Sequence, residues 1–507
     1  MKKNVLHTLN SFIENRYFTG FLLLVALLFV TLYSFSTSPL YVNEGYDSGV
    51  FKSMGLAITQ GKVPYVDFFD HKGPVLYFIN ALGQWLIPGR MGIFLLQIIA
   101  ISVSLVYLFK TARLFLNGVQ SVCVMLVTLF VLGGLYEEGN QCEEWILAIV
   151  SPTIFFLLSD IVHGESNHIS PLYGLLYGIC FGLAFFIRPN DALAILGGGL
   201  LGAICYAWFM LKEPKIMILY DILAFIGGFV LIYIPIFVYF SYHDAFDDLI
   251  YGLFIHNSLY SHGLKGILLS YRKVAYLVVW IIMCYMIWHT QYRNTLFVVA
   301  TVCVFQFVLM GTRLFPHYLI DYIFLFLLLG VFLMKRTEVF SLVIYSIALY
   351  GIMLIGRINV FRNAELAVLE RAQMIYTHNE RSRAFYAESD KLLSSLPADK
   401  MDSIWNYNLT WRDDYPYSSV FFHYGITQYN KVPYYYMYHI SERLKKVDDI
   451  KMYAPPYILL THSCDADTIN QPLWANYNVD YKYIEKNYIL VAKTDSTICN
   501  IELYKRY

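Results

Sequence analysis

Long apolar runs recur near residues 19–37, 91–109, 117–135, 145–161, 170–187, 191–211, 217–240, 273–289, 295–311, 319–334 and 338–356. Each has roughly the 17–25 residues a helix needs to cross a hydrocarbon core, so the pattern predicts about eleven spanning helices. The first run is too long for a signal-peptide core and lacks a small-residue cleavage site, which predicts a retained helix. From residue 358 onward the long runs stop and charge rises. There the stretch 365–396 reads as helix, while KMDSIWNY, YILLTHS, KNYILVAK and ICNIELYK read as strands. The expected architecture is an α-helical polytopic membrane domain, residues 1–357, followed by a soluble α/β or α+β domain, residues 358–507.

The short connections carry a charge bias. Lys2, Lys3 and Arg16 share a side with Lys110 and Arg113, Lys212 and Lys215, Arg293, and Lys335 with Arg336. The positive-inside rule makes that side cytoplasmic, against which Arg272 and Lys273 are the exception. An odd helix count then puts the C-terminal domain outside the cytoplasmic (inner) membrane, in the periplasm if the cell is bacterial.

The connection over residues 38–90 is much longer than a linker requires, and long ordered loops are usually functional. Asp47 or Ser48 can cap a short helix running to Gln60, with Gly61 as its left-handed stop. After an extended VPYVDFFDHK stretch, Pro74 stands at the first position of a second helix that ends near Leu86. Lys72 and Gly73 precede that helix N-terminus, where free backbone N–H groups and the dipole favour an anion.

Composition narrows the class. Hydrophobic residues are 58% of the chain and charged residues 15%, too few charges for a soluble surface on 507 residues. A formal net charge of zero argues against a nucleic-acid partner. The eight cysteines show no metal or redox spacing; Cys464 and Cys499, both in the tail, are a candidate disulfide in an oxidising compartment.

An enzyme acting on a lipid phosphate needs a carboxylate near the reacting carbon and a cation near the phosphate. The loop offers both, Asp47 and Lys72, 25 residues apart. Its pattern, D-x-x-x-aromatic followed by GKVPYVDFFDHKGP, resembles the first external loop of the GT-C superfamily of membrane glycosyltransferases. That superfamily includes the protein O-mannosyltransferases and the lipid A aminoarabinose transferases, and the D-H-K-G-P form is similar to their uncharacterised bacterial relatives. The resemblance is strong over this loop, loose over the helical layout, and positional only for the tail. It implies juxtamembrane helices in the first loop, a polyprenyl-phosphate-linked sugar donor, and inversion at the anomeric carbon. By the same resemblance Asp47 is the general base, with Glu44 as its rival because many relatives carry an Asp-Glu pair here, and Lys72 contacts the donor phosphate. His71 could hold a divalent ion with Asp67 and Asp70, orient Lys72, or contribute to the phosphate site.

Other polar groups gather at the same helix ends. Asp67 and Asp70 could hold a divalent ion such as Mg or Mn, or order the loop. LYEEGNQCEEW, residues 135–145, resembles the Gly-Asn and Glu segment of these relatives. Glu143 and Glu144 directly precede a helix and are candidates to face the cavity and a cation. Arg188 in FIRPND could face the cavity, and Arg272 with Lys273 could face phosphate. Arg313, His317 and Tyr318, in GTRLFPHYLIDY, resemble the segment that approaches the donor phosphate. PYYYMY, residues 433–438, could stack on sugars or simply line a strand. The tail has no nucleotide loop or hydrolase motif.

These readings converge on a transferase that moves a sugar from a polyprenyl-phosphate donor to a glycan, lipid or protein acceptor on the outer face. The alternatives are a transporter or flippase, or a polymerase, of lipid-linked glycans. A transporter predicts ionisable residues deep within the spans, whereas here they collect at the ends.

Overall fold

The computed structural model describes residues 13, 17–163, 171–260, 271–309, 315–335, 383, 386–396, 398–408, 422–425, 431, 443, 449–462, 474–494 and 500–507. The run at 338–356, the start of the expected tail helix, Arg313, the 433–438 aromatics, Cys464 and Cys499 lie outside these residues, as does the side chain of Arg272.

Apolar helices form where the runs predict them: α1 (Tyr17–Tyr33), α4 (Arg90–Arg113), α5 (Gly118–Leu135), α6 (Cys142–His163), α7 (Pro171–Phe185), α8 (Pro189–Leu211), α9 (Lys215–Tyr242), α11 (Tyr271–Trp288), α12 (Arg293–Leu309) and α13 (Pro316–Lys335). Among the described residues, α4, α5, α6, α8, α9 and α13 are long and apolar enough to cross a membrane; the others are shorter apolar helices. The juxtamembrane pair is α2 (Asp47–Thr59) and α3 (Pro74–Leu86), and Gly61 adopts φ +83° after α2. Between α9 and α11 lies α10, made of three short turns, Phe246–Ile250, Tyr251–Ile255 and His256–Tyr260. The middle turn is a π bulge, a distortion frequent at functional sites.

Helices in lipid gain nothing from burying leucine, so they associate by close backbone approach. α7 and α9 meet in this way. A Cβ at Gly178 would sit 2.0 Å from the Phe225 carbonyl oxygen, and one at Gly228 would sit 2.0 Å from that of Leu175. α3 and α4 meet similarly, with Gly92 against the Gly83 carbonyl. The juxtamembrane helices are therefore locked to the spanning ones through backbone.

The tail contains a mixed sheet in the order β1-β2-β4-β3, formed by β1 (Ile404–Asn408), β2 (Tyr457–His462), β3 (Tyr488–Lys493) and β4 (Asn500–Arg506). β1 and β2 are parallel and the other pairs antiparallel. The period-2 alternation gives the sheet two apolar faces. Ile404, Tyr457, Leu459, Ile501 and Leu503 pack with Leu392 and Leu393 on one side. Trp405, Ile458, Leu460 and Tyr504 pack on the other with Ile484 of α14 (Trp474–Asn487). All four strands fall on the expected segments. α14 was not anticipated, because its polar, Tyr-rich sequence has little helical periodicity.

Candidate active site

Loop one begins with an acidic group that is fully engaged. Glu44, 3% exposed, pairs with the Lys52 ammonium and with Arg90 Nη2 at 3.2 Å, while His423 Nδ1 of the tail lies 3.9 Å away. Burial would raise the Glu44 carboxyl, but Lys52, His423 and Arg90 together bring it down to about 2. Lys52 has no exposed surface, and burial outweighs the pull of Glu44 to lower its ammonium to about 8. Both partners are ionised at neutral pH. A carboxylate held this low is a poor proton acceptor.

Asp47 differs. It is the first residue of α2 and half-buried, and the cap position falls on Tyr46, whose side chain makes no capping bond. The expected local cap is replaced by Glu138 of loop two, residues 135–145, which accepts the Tyr46 N–H and, at 3.1 Å, the Ser48 N–H. Gln141 donates to the same carboxylate at 2.7 Å. Burial and the nearby Asp47 charge push Glu138 up to about 7. The following Asn140, in the left-handed region at φ +60°, bonds Asn80 of α3 at 2.8 Å and Ser48 of α2 at 3.2 Å. The Gly-Asn motif of loop two thus ties α2 to α3.

Lys72 closes the other half of the site. Its carbonyl accepts from the Tyr65 hydroxyl at 2.6 Å and the Tyr77 hydroxyl at 3.0 Å. Its ammonium lies 3.9 Å from Asp70, 3.3 Å from His71 Nε2, and 5.6 Å from the centroid of Phe51. Phe51 is one helical turn after Asp47, so the D-x-x-x-aromatic step brings the Asp47 face of α2 to the lysine. Burial would lower the Lys72 ammonium, but the Asp70 and Asp47 carboxylates outweigh it and hold it above the ordinary lysine value. Burial would raise Asp70, but Lys72 and His71 keep it below the usual carboxylate range. Burial and Lys72 depress His71 despite the opposing pull of Asp70.

The α3 N-terminus departs from expectation. The Gly73 N–H donates to the Ile187 carbonyl at 2.9 Å and the Val75 N–H to the Phe186 carbonyl at 3.0 Å. These donors are engaged by backbone at the end of α7, so an anion here meets the Lys72 side chain and not a free helix terminus. The same contact explains Gly73, where a Cβ would lie 2.0 Å from the Phe186 oxygen.

A second polar wall lies at the ends of α6, α8 and α13. Arg188 pairs with Glu143 and, at 3.2 Å, with Asp191, and its guanidinium stands 4.3 Å over the Tyr318 ring. His317 Nδ1 meets Glu137 at 2.5 Å. The charge of Lys72 interacts with Tyr318, so the two walls face one region.

The carboxylates that converge among the described residues are Glu143, Asp191 and Asp321, with ligand atoms within 4.8 Å of one another. The candidate ion ligands named from sequence are otherwise dispersed. Asp67 accepts the Val63 N–H at 2.6 Å and ties a turn. Asp70 serves His71 and Lys72. Glu144 accepts Gln97 Nε2 at 2.7 Å between α4 and α6. Three hard oxygen donors suit Mg or Mn in type. Arg188, however, already pairs with two of the three, so the residues present fit a guanidinium better than a divalent ion. Asp191 and Asp321 were missed in sequence although FIRPND and HYLIDY stood out; an acid at the edge of an apolar run was the available signal.

No family model matches the chain, and no curated protein matches its sequence. Two solved structures match over nearly its whole length. ArnT from Cupriavidus metallidurans bound to undecaprenyl phosphate is 12% identical, with a TM-score of 0.57 over 96% of this chain and 98% of that one. The apo form of the same protein gives 13% identity and a TM-score of 0.56 over 95% and 97%. The chain shares its fold with ArnT. An oligosaccharyltransferase from Archaeoglobus fulgidus is also similar, at 11% identity and a TM-score of 0.49 over 88% of this chain and 70% of that one.

Proposed function

We propose that this chain is an inverting membrane glycosyltransferase that moves a sugar from a polyprenyl-phosphate donor to an acceptor on the outer face of the cytoplasmic membrane. The observation that carries the reading is the meeting of Asp47's helix face with the Lys72 ammonium across Phe51. The GT-C fold supports it, as does the undecaprenyl phosphate bound to the ArnT neighbour.

In this mechanism the acceptor hydroxyl gives its proton to an Asp47 carboxylate oxygen as its own oxygen attacks the anomeric carbon. The bond from that carbon to the phosphate oxygen breaks on the opposite face, which inverts the centre. The electron pair leaves with the polyprenyl phosphate. General-base assistance of this kind contributes typically ~10²–10⁴-fold. The leaving group is already a phosphate ester and needs charge neutralisation more than a proton. Lys72, held as a cation by Asp70 and Asp47, supplies it before the bond breaks, so little reorganisation is needed at that moment. Arg188 and Tyr318 line the facing wall, where they contact the departing phosphate or the sugar. Glu44 takes no proton in this scheme; its ion pairs hold the start of the loop.

The test is direct binding of undecaprenyl phosphate to the purified chain. Lys72→Met is expected to weaken affinity by roughly ten- to a hundredfold, the worth of a charge-assisted contact to a partly buried phosphate. Lys72→Arg should recover part of it, because charge survives while geometry shifts. Affinity unchanged in Lys72→Met would overturn the assignment.

A further inference from the structure

The connection between α9 and α11 contains a carboxylate that the mechanism does not use. Asp248, on the first turn of α10, holds Arg443 Nη2 at 2.9 Å and Lys431 Nζ at 3.7 Å, and both cations come from the tail. Each of the two leads on towards Lys72. The Lys431 carbonyl accepts the Phe69 N–H at 2.8 Å, immediately before Asp70-His71-Lys72. The Arg443 guanidinium stands 4.3 Å over the Tyr251 ring, and that ring lies 5.9 Å from Phe69.

The rest of α10 grips the same loop from beneath. Asn257 Nδ2 donates to the His71 carbonyl at 2.8 Å. His256 has no exposed surface, and neither ring nitrogen has a hydrogen-bond partner among the described residues. It stacks on His71 at 5.8 Å and meets Phe69 edge-on at 5.1 Å. A Cβ at Gly252 would lie 2.5 Å from the Tyr65 ring, whose hydroxyl holds the Lys72 carbonyl. The loop from Phe69 to Lys72 is thus held by both the tail and α10.

We infer that Asp248 is a positioning residue for the donor phosphate: by docking Lys431 and Arg443 onto α10, it fixes the backbone that carries the Lys72 ammonium. The inference rests on the reading of Lys72 as the phosphate contact. A solvent-exposed ion pair by itself stabilises little, and the Arg443 side chain is 45% exposed. The consequence of losing Asp248 is therefore placement of Lys72 more than global stability. A cation displaced from its anion loses affinity steeply, because both Coulomb energy and hydrogen-bond alignment fall with distance.

The experiment measures undecaprenyl phosphate affinity of the full chain for the parent, Lys72→Met, Asp248→Asn, Asp248→Glu, Arg443→Met and the Asp248→Asn/Lys72→Met double variant. Asp248→Asn is expected to weaken binding about tenfold, Arg443→Met about threefold, and Asp248→Glu to stay near the parent. In the Lys72→Met background, Asp248→Asn should cost less than about twofold more, since a residue acting through Lys72 has nothing left to act on. Parent-like affinity in Asp248→Asn overturns the inference, as does an equal loss with and without Lys72. If Asp248→Asn does not fold, Arg443→Met in the two backgrounds decides by the same criterion. Lys72→Met binding as tightly as the parent would instead defeat the donor-site reading on which this one stands.

Discussion

Lys52→Met should unsettle the start of loop one out of proportion to the single charge removed. Lys52 and Glu44 are both buried, and their mutual attraction offsets two large desolvation costs. Such a pair adds little net stability, yet removing one partner typically costs about 3–5 kcal/mol because the other charge stays buried. Glu44 here retains Arg90 at 3.2 Å, so the loss should fall at the low end, about 3 kcal/mol. The acid limb probes the same pair. Glu44 is held at about 2, against 4.5 as its ordinary value, and the unfolded chain binds more protons between those two values. The Glu44 contribution is therefore present above about pH 4.5 and lost as pH falls towards 2. The assay is thermal unfolding of purified protein in one detergent, comparing the parent, Lys52→Met, Glu44→Gln and the double variant. Lys52→Met should lower the midpoint by on the order of 5 °C. The double variant should recover most of that, because two neutral side chains leave no orphaned charge. A Lys52→Met midpoint equal to the parent, or a double variant worse than either single one, would refute the buried-pair account.

Two further expectations concern the chemistry. Asp47→Asn should reduce transfer by at least about a hundredfold while leaving undecaprenyl phosphate affinity within a fewfold of the parent, and Glu44→Gln should keep measurable turnover; a dead Glu44→Gln beside an active Asp47→Asn would move the base to Glu44. Transfer should survive exhaustive chelation, because Arg188 already pairs with Glu143 and Asp191; activity lost to a chelator and restored by Mg or Mn would place an ion in that cluster.

The sequence made the helical frame legible because lipid imposes a strong, long-range pattern on it. It also gave Pro74 as the start of α3, the extent of α2, and the four strands of the tail, all set by local rules of period and punctuation. What it could not give were contacts between segments distant in the chain. Glu138 accepts the N–H of Ser48, 90 residues before it in the chain, displacing the expected local cap. The donors at the start of α3 are taken by Phe186 and Ile187, whose carbonyls carry no side-chain signature. Lys52 sat unremarked in an amphipathic stretch, because nothing local shows that a lysine points inward to Glu44. Dispersal of Asp67, Asp70 and Glu144 has the same origin: nearness in sequence did not make a common site.

The joining of α2 to α3 through Asn140, and of α3 to α7 through backbone, separates two jobs that one pocket must do. The proposed base and cation stand on a frame whose dimensions are set by main chain and buried amides. The Arg188, Tyr318 and His317 wall sits on other elements. Substitutions that retune which sugar or acceptor fits can accumulate on those elements without altering the spacing between Asp47 and Lys72. A lineage built on this frame can change substrates by surface drift while its reaction stays constant.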